Sequence, residues 1–123
     1  MELNKDKAVA FLQSIVAGQI DNAFKTFVSP DFIHHNPYFP GDAESLRLAM
    51  KENDDQSPEK VLSVKQVLEE DGRVMVYSHI QQNEDDLGAA VIHLFRFHDG
   101  KIIEMWDVGQ PIKANSPNEN GMF

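Results

Sequence analysis

Four residues that could do chemistry together, His93, Arg96, Glu104 and Asp107, lie within one stretch, Ala89 to Gln110, AAVIHLFRFHDGKIIEMWDVGQ. An aspartate beside a histidine on an apolar wall is equipped for proton transfer at carbon. Burial raises a carboxylate toward a useful pKa, and an imidazole or amide can donate a hydrogen bond to a developing oxyanion. Val91 to Phe97 and Ile102 to Val108 are rich in β-branched and aromatic residues, and His98-Asp99-Gly100 between them is turn chemistry, so the stretch reads as a β-hairpin. Register decides which polar groups meet, because a slip of one residue sends every side chain to the other face. A two-residue Asp99-Gly100 loop places His93 opposite Trp106. A three-residue loop, with Gly100 in the left-handed position of a bulge, places His93 opposite Met105 with Asp107 on the same face. The three-residue loop is favoured, since it groups Val91, His93 and Phe95 with Ile103, Met105 and Asp107. In this register Arg96 and Glu104 are not paired.

The rest of the chain limits the alternatives. Twenty acidic against eleven basic residues give a formal net charge of −9, and with no Lys/Arg cluster neither nucleic acid nor an anionic membrane is an expected partner. The absence of cysteine removes disulfides, thiolate zinc sites and thiol nucleophiles. Five histidines raise the question of a metal, but there is no His-x-His or His-Glu-x-x-His, and His34 and His35 point opposite ways on an extended chain. No Gly-rich phosphate loop or Gly-x-Ser-x-Gly elbow occurs, so no cofactor is expected. The N-terminal residues do not form a secretory signal, and no stretch reaches membrane-spanning length, which makes a soluble cytoplasmic protein the expectation.

The elements that must position these residues follow from periodicity. Asn4 can cap a helix carrying Ala8, Phe11, Leu12 and Ile15 on one side, ended by Gly18. A second helix carries Ile20, Ala23, Phe24 and Phe27 until Ser29-Pro30-Asp31 turns the chain. Phe32 to Pro37 reads as a short extended piece, and Asp42 caps a third helix that frays before Pro58. Strand patterns then run from Lys60 to Glu69 and from Arg73 to Gln82, joined by Asp71-Gly72, so four strands form an antiparallel meander. Asn83 to Asp86 is an acidic, solvated loop. The expectation is one α+β domain over residues 1–111, a curved antiparallel sheet packed on three N-terminal helices, with 112–123 as a tail.

At FIHHNP and FRFHDGKIIEMWDVGQP the sequence resembles the SnoaL-like polyketide cyclases, in particular small members predicted to catalyse aldol condensations, within the nuclear-transport-factor-like and ketosteroid-isomerase-like superfamily. The resemblance covers about Leu3 to Pro111. It implies a cone-shaped α+β barrel of cystatin-like topology, usually dimeric, with an apolar pocket between sheet and helices. It further implies an acid/base aspartate on the last strand, here Asp107, and a histidine on the preceding strand, here His93. His35 and Asn36 match the family's His-Asn-Pro segment. His34 stands where glutamine is common, and Gly41-Asp42 reverses a frequent Asp-Gly.

Asp107, His93 and His35 are therefore the catalytic candidates, and Asn36, Tyr38, His79, Phe95, Met105 and Trp106 the candidates for contact with substrate. Each has a plainer alternative. Asp107 could pair with Arg96, His93 could be a core histidine bonded to Asp107, and His35 could only cap the loop before Pro37. His79 shares a face with Met75 and Tyr77, where packing is the commoner role, and Phe95 and Trp106 could be core. The function expected is cofactor-free acid/base catalysis next to a carbonyl, a cyclisation or isomerisation, on a small hydrophobic ligand. The alternatives are a non-catalytic binding module and a dimeric scaffold. Leu94, Ile92 and Trp106 on the sheet's other face suggest a homodimer.

Overall fold

The computed structural model describes residues 2–123. Its elements run α1 (Asn4–Val16), α2 (Ile20–Phe27), β1 (Val28–His34), α3 (Ala43–Gln56), β2 (Val61–Glu70), β3 (Arg73–Gln81), β4 (Ala89–His98) and β5 (Lys101–Pro111). Five strands form one open, curved sheet in the order β1-β5-β4-β3-β2, antiparallel except where β1 runs parallel to β5. The meander expected from the sequence is thus extended by an edge strand from the N-terminal half.

Gly18, with φ +84°, ends α1 as expected, while the residue before that helix is Leu3 and Asn4 already lies inside it, with no side-chain cap. Asp42 caps α3 by accepting from the Ser45 amide at 2.9 Å. Ser29-Pro30-Asp31, expected to be a turn, lies inside β1; Pro30 is tolerated there because an edge strand leaves one row of amides without sheet partners. Both tight hairpins use Asp-Gly at two consecutive left-handed positions, Asp71-Gly72 and Asp99-Gly100, the geometry that matches the twist of the flanking strands.

The helices cover the concave face of the sheet. Phe11, wholly buried, makes edge-to-face contacts with Phe24 (5.6 Å between centroids), Phe95 (5.9 Å) and Phe27 (6.4 Å), each worth about 0.5–1.5 kcal/mol beyond the area buried. Val74, Val76, Ile102 and Met105 complete the contact from the sheet. After β5, residues 112–123 return across the outer face: the Tyr77 hydroxyl donates to the Met122 carbonyl, and the Phe123 ring lies 5.4 Å from Tyr77 and 5.1 Å from His79. No described helix is long and apolar enough to cross a membrane.

Candidate functional site

The turn between β4 and β5 has two residues rather than three, with His98 opposite Lys101 and Phe97 opposite Ile102. Ile103 is then an extra residue on β5, a bulge, and beyond it Arg96 lies opposite Glu104, Phe95 opposite Met105 and His93 opposite Asp107. The expected facing of His93 and Met105 is therefore off by one pair. The expected inward face survives with Ile102 in place of Ile103, because the bulge restores the alternation that the shorter turn would have inverted. Arg96 and Glu104, left unpaired by the sequence reading, form an ion pair: Nε and Nη2 of Arg96 donate to Oε1 of Glu104 at 2.9 and 2.7 Å.

Asp107 and His93 thus face each other on the concave wall, with their β-carbons about 5 Å apart as for any directly opposed pair. His93 is 7% exposed. Burial pushes its imidazole down to about 4, against a smaller opposing pull from the Asp107 charge, so near neutral pH it is uncharged. Its ring stacks on Phe95 (5.9 Å, 7° between planes).

The third member comes from the edge strand. His34 is opposite Met105 and Ile33 opposite Glu104, so alternation turns His34 and Asn36 inward and His35 outward. Asn36 Nδ2 donates to Asp107 Oδ2 at 3.1 Å. The side-chain amide is oriented by its Oδ1, which accepts from the Tyr38 N–H at 2.9 Å, while the Asn36 backbone N–H donates to His34 Nδ1 at 3.1 Å and fixes the main chain beneath it. His34 Nε2 donates to the Pro40 carbonyl at 2.7 Å, which places the ring proton on Nε2 and leaves Nδ1 to accept.

Several candidates lie elsewhere. His35 is on the outer face, donating from Nε2 to Glu104 Oε2 at 2.6 Å and stacked on Trp106 at 4.8 Å and 8°. Trp106, opposite Leu94, is likewise outside. Hydrogen bonds from His35 and then Arg96 hold the Glu104 carboxyl below its ordinary range. His79 is also on the outer face, donating to the Leu87 carbonyl at 2.8 Å under the Phe123 ring. Tyr38 is 84% exposed and only its backbone serves the site. Phe95 and Met105 face inward but are fully packed. Sequence reading did not select His34, although its place two residues before Asn36 on an extended segment was the available signal. It also did not select Ser78, which interrupts the inward row Val74, Val76 on β3. The surface clefts under the tail (about 410 Å³, Gln110 to Met122) and beside the acidic loop (about 680 Å³, Glu59 to Asp85) include neither His93 nor Asp107. Among the described residues no three His, Asp or Glu side chains gather as a metal site would need.

A curved, unclosed sheet of mostly antiparallel strands over three helices, with a polar cluster on its concave face, defines the nuclear-transport-factor-2-like α+β cone. The chain belongs to the SnoaL-like domain family, whose model matches residues 8–105; His93 lies inside that match and Asp107 two residues beyond it. Among solved structures it is similar to an NTF2-like protein of unknown function from Cytophaga hutchinsonii (17% identity, 90% of this chain and 93% of the other, TM-score 0.73). It is also similar to IdmH, a candidate polyketide cyclase from Streptomyces antibioticus (14%, 89% and 93%, 0.70), and to AclR, a candidate hydroxylase from Streptomyces galilaeus (21%, 86% and 90%, 0.66). Comparison with curated proteins gives no match.

Proposed function

We propose that this protein is a cofactor-free acid/base enzyme of cyclase or isomerase type, acting next to a carbonyl on a small hydrophobic ligand held against the concave wall. The observation that carries the reading is the convergence of Asp107, Asn36 and uncharged His93 on one apolar face, with Asn36 fixed toward the carboxylate by two backbone hydrogen bonds. In this scheme Asp107 takes the proton from the carbon beside the carbonyl and returns it to the rearranged enolate. His93 or the Asn36 amide donates to the enolate oxygen, and the neutral state of His93 makes it a donor that does not neutralise the base. Membership in the SnoaL-like family and the likeness to IdmH support the reaction class.

A general test needs no known substrate. With 1-indanone in D2O, proton NMR should show protein-accelerated loss of the signal at the carbon beside the carbonyl, reduced at least 100-fold in Asp107→Asn. Bound indanone with no exchange would reject catalysis in favour of a non-catalytic binding module, and no binding would favour a dimeric scaffold whose inner wall is filled by its own side chains, the reading that the complete burial of Phe95 and Met105 supports. The protein is further proposed to pair with a second copy through the outer face, where Ile92 is 38% and Val108 69% exposed.

A further inference from the structure

Among the described residues, two buried side-chain polar atoms have no hydrogen-bond partner, Ser78 Oγ and His93 Nδ1. Ser78 is wholly buried. The register between β3 and β4 sets Val76 opposite His93 and Ser78 opposite Val91, so Ser78 is the diagonal neighbour of His93 on the same inward face. Residues so related have α-carbons about 7–8 Å apart and β-carbons somewhat closer. That separation lets one oxygen atom accept or donate about 2.8 Å from each side chain. Packing alone does not call for a hydroxyl here: the row runs Val74, Val76, Ser78, and Val64 and Val91 flank the serine on the neighbouring strands. An unmatched hydroxyl in such a row costs about 1–3 kcal/mol relative to a satisfied one, and nearly all buried polar groups in folded proteins are matched.

We propose that Ser78 and His93 together bind a single uncharged oxygen, carbonyl or hydroxyl, of the ligand, and thereby set which part of it lies against Asp107. The inference rests on the binding role given above to the concave wall. A carbonyl accepts from the serine hydroxyl and from Nδ1 in its protonated tautomer; a hydroxyl donates to Nδ1 in the other tautomer and accepts from serine. A carboxylate is disfavoured, since the uncharged imidazole offers it no countercharge and Asp107 lies directly across the strand pair. Ser78 is then a specificity-determining residue on β3, outside the β1, β4 and β5 residues that form the acid/base group.

The test uses the full chain labelled uniformly with nitrogen-15, so that the His93 ring, the Asn36 amide and the Asp107 backbone are all followed, titrated with 1-indanone and with indane, the same skeleton lacking the oxygen. The expected result is that indanone binds about 10-fold more tightly than indane and moves the His93 Nδ1 resonance by several ppm. In Ser78→Ala, indanone should lose about 10-fold in affinity while indane is unchanged; a serine that served only the fold would affect both alike. If indanone perturbs Asp107 and Asn36 but leaves His93 Nδ1 and the effect of Ser78→Ala at zero, this inference is overturned and the proposed function stands. If neither compound binds the wild-type protein up to its solubility limit, both fall. The wild-type titration decides the matter on Nδ1 even if Ser78→Ala does not fold.

Discussion

Burial of His93 makes the stability of this protein depend on pH in a window of its own. The imidazole titrates at about 4 in the folded chain against 6.5 for an unperturbed histidine, chiefly because burial disfavours its charged form. Between those values the unfolded chain binds the extra proton, so folding loses free energy as pH falls from about 6.5 and the loss levels off below about 4. Applying the linkage relation to these two values gives a loss of about 2 kcal/mol between pH 7 and pH 5, approaching about 3 kcal/mol at the lower limit. In urea unfolding monitored by Trp106 fluorescence, that is a fall in midpoint of about 1 M. His93→Gln, which keeps a polar planar group without the titration, should flatten the curve between pH 7 and 5. The carboxylates held low in the folded state, Glu104 and Asp42 among them, add their own loss only below about pH 4.5, so the two windows separate. A wild-type midpoint unchanged between pH 7 and 5, or a His93 carbon-bound proton titrating near 6.5 by NMR, would refute the claim that this ring is buried and neutral.

Other perturbations address other parts of the molecule. Gly88, at φ +77°, would set a β-carbon against the Ile80 carbonyl; Gly88→Ala should destabilise by more than about 2 kcal/mol, visible as a lower melting temperature in calorimetry. Glu104→Gln removes the negative charge and one of the two acceptor oxygens that serve His35 and Arg96 and should cost about 1 kcal/mol, measured by urea unfolding at pH 7 and vanishing at a pH low enough to protonate the wild-type carboxyl. Phe95→Ala empties the contact with Phe11 and should cost about 3–5 kcal/mol by the same method. Val108→Glu should leave the melting temperature within about 2 °C yet lower the mass seen in sedimentation if copies pair through the outer face.

Much of the fold could be read from periodicity, and the errors have specific physical sources. Helices α1 to α3 and strands β2 to β5 follow hydrophobic spacing, and the turns follow from Asp-Gly and Gly18. Alternation within Phe32 to Pro37 showed that His34 and His35 face opposite ways, but which one faces in depends on β1 pairing with β5, a contact across about seventy residues of sequence. With the edge strand unplaced, the match to a His-Asn-Pro segment favoured His35, and the inward positions fell to His34 and Asn36. Tyr38 and His79 failed for a related reason: residue type suggests contact with a ligand, whereas exposure and face are properties of the assembled sheet. Asp107 and His93 were legible because each stands alone among apolar neighbours on its strand, and that contrast does not require the partner to be known.

The bulge at Ile103 determines whether His93 and Asp107 share a face. Continued without it, the pairing of His98 with Lys101 and Phe97 with Ile102 would bring His93 opposite Trp106 and send Asp107 to the outer face. The indole would then enter the concave wall, and the carboxylate would leave both Asn36 and His93. One extra residue on β5 instead keeps Trp106 outside under His35, sets Glu104 opposite Arg96, and returns Asp107 to the wall. The two polar clusters of this hairpin are therefore coupled through register. The Arg96–Glu104 pair stabilises the shifted alignment from the outer face, and the Asp107–His93 opposition is its consequence on the inner one. Weakening that pair should loosen the alignment of Asp107 before it unfolds the sheet, because the strand order and the remaining backbone ladder do not depend on it.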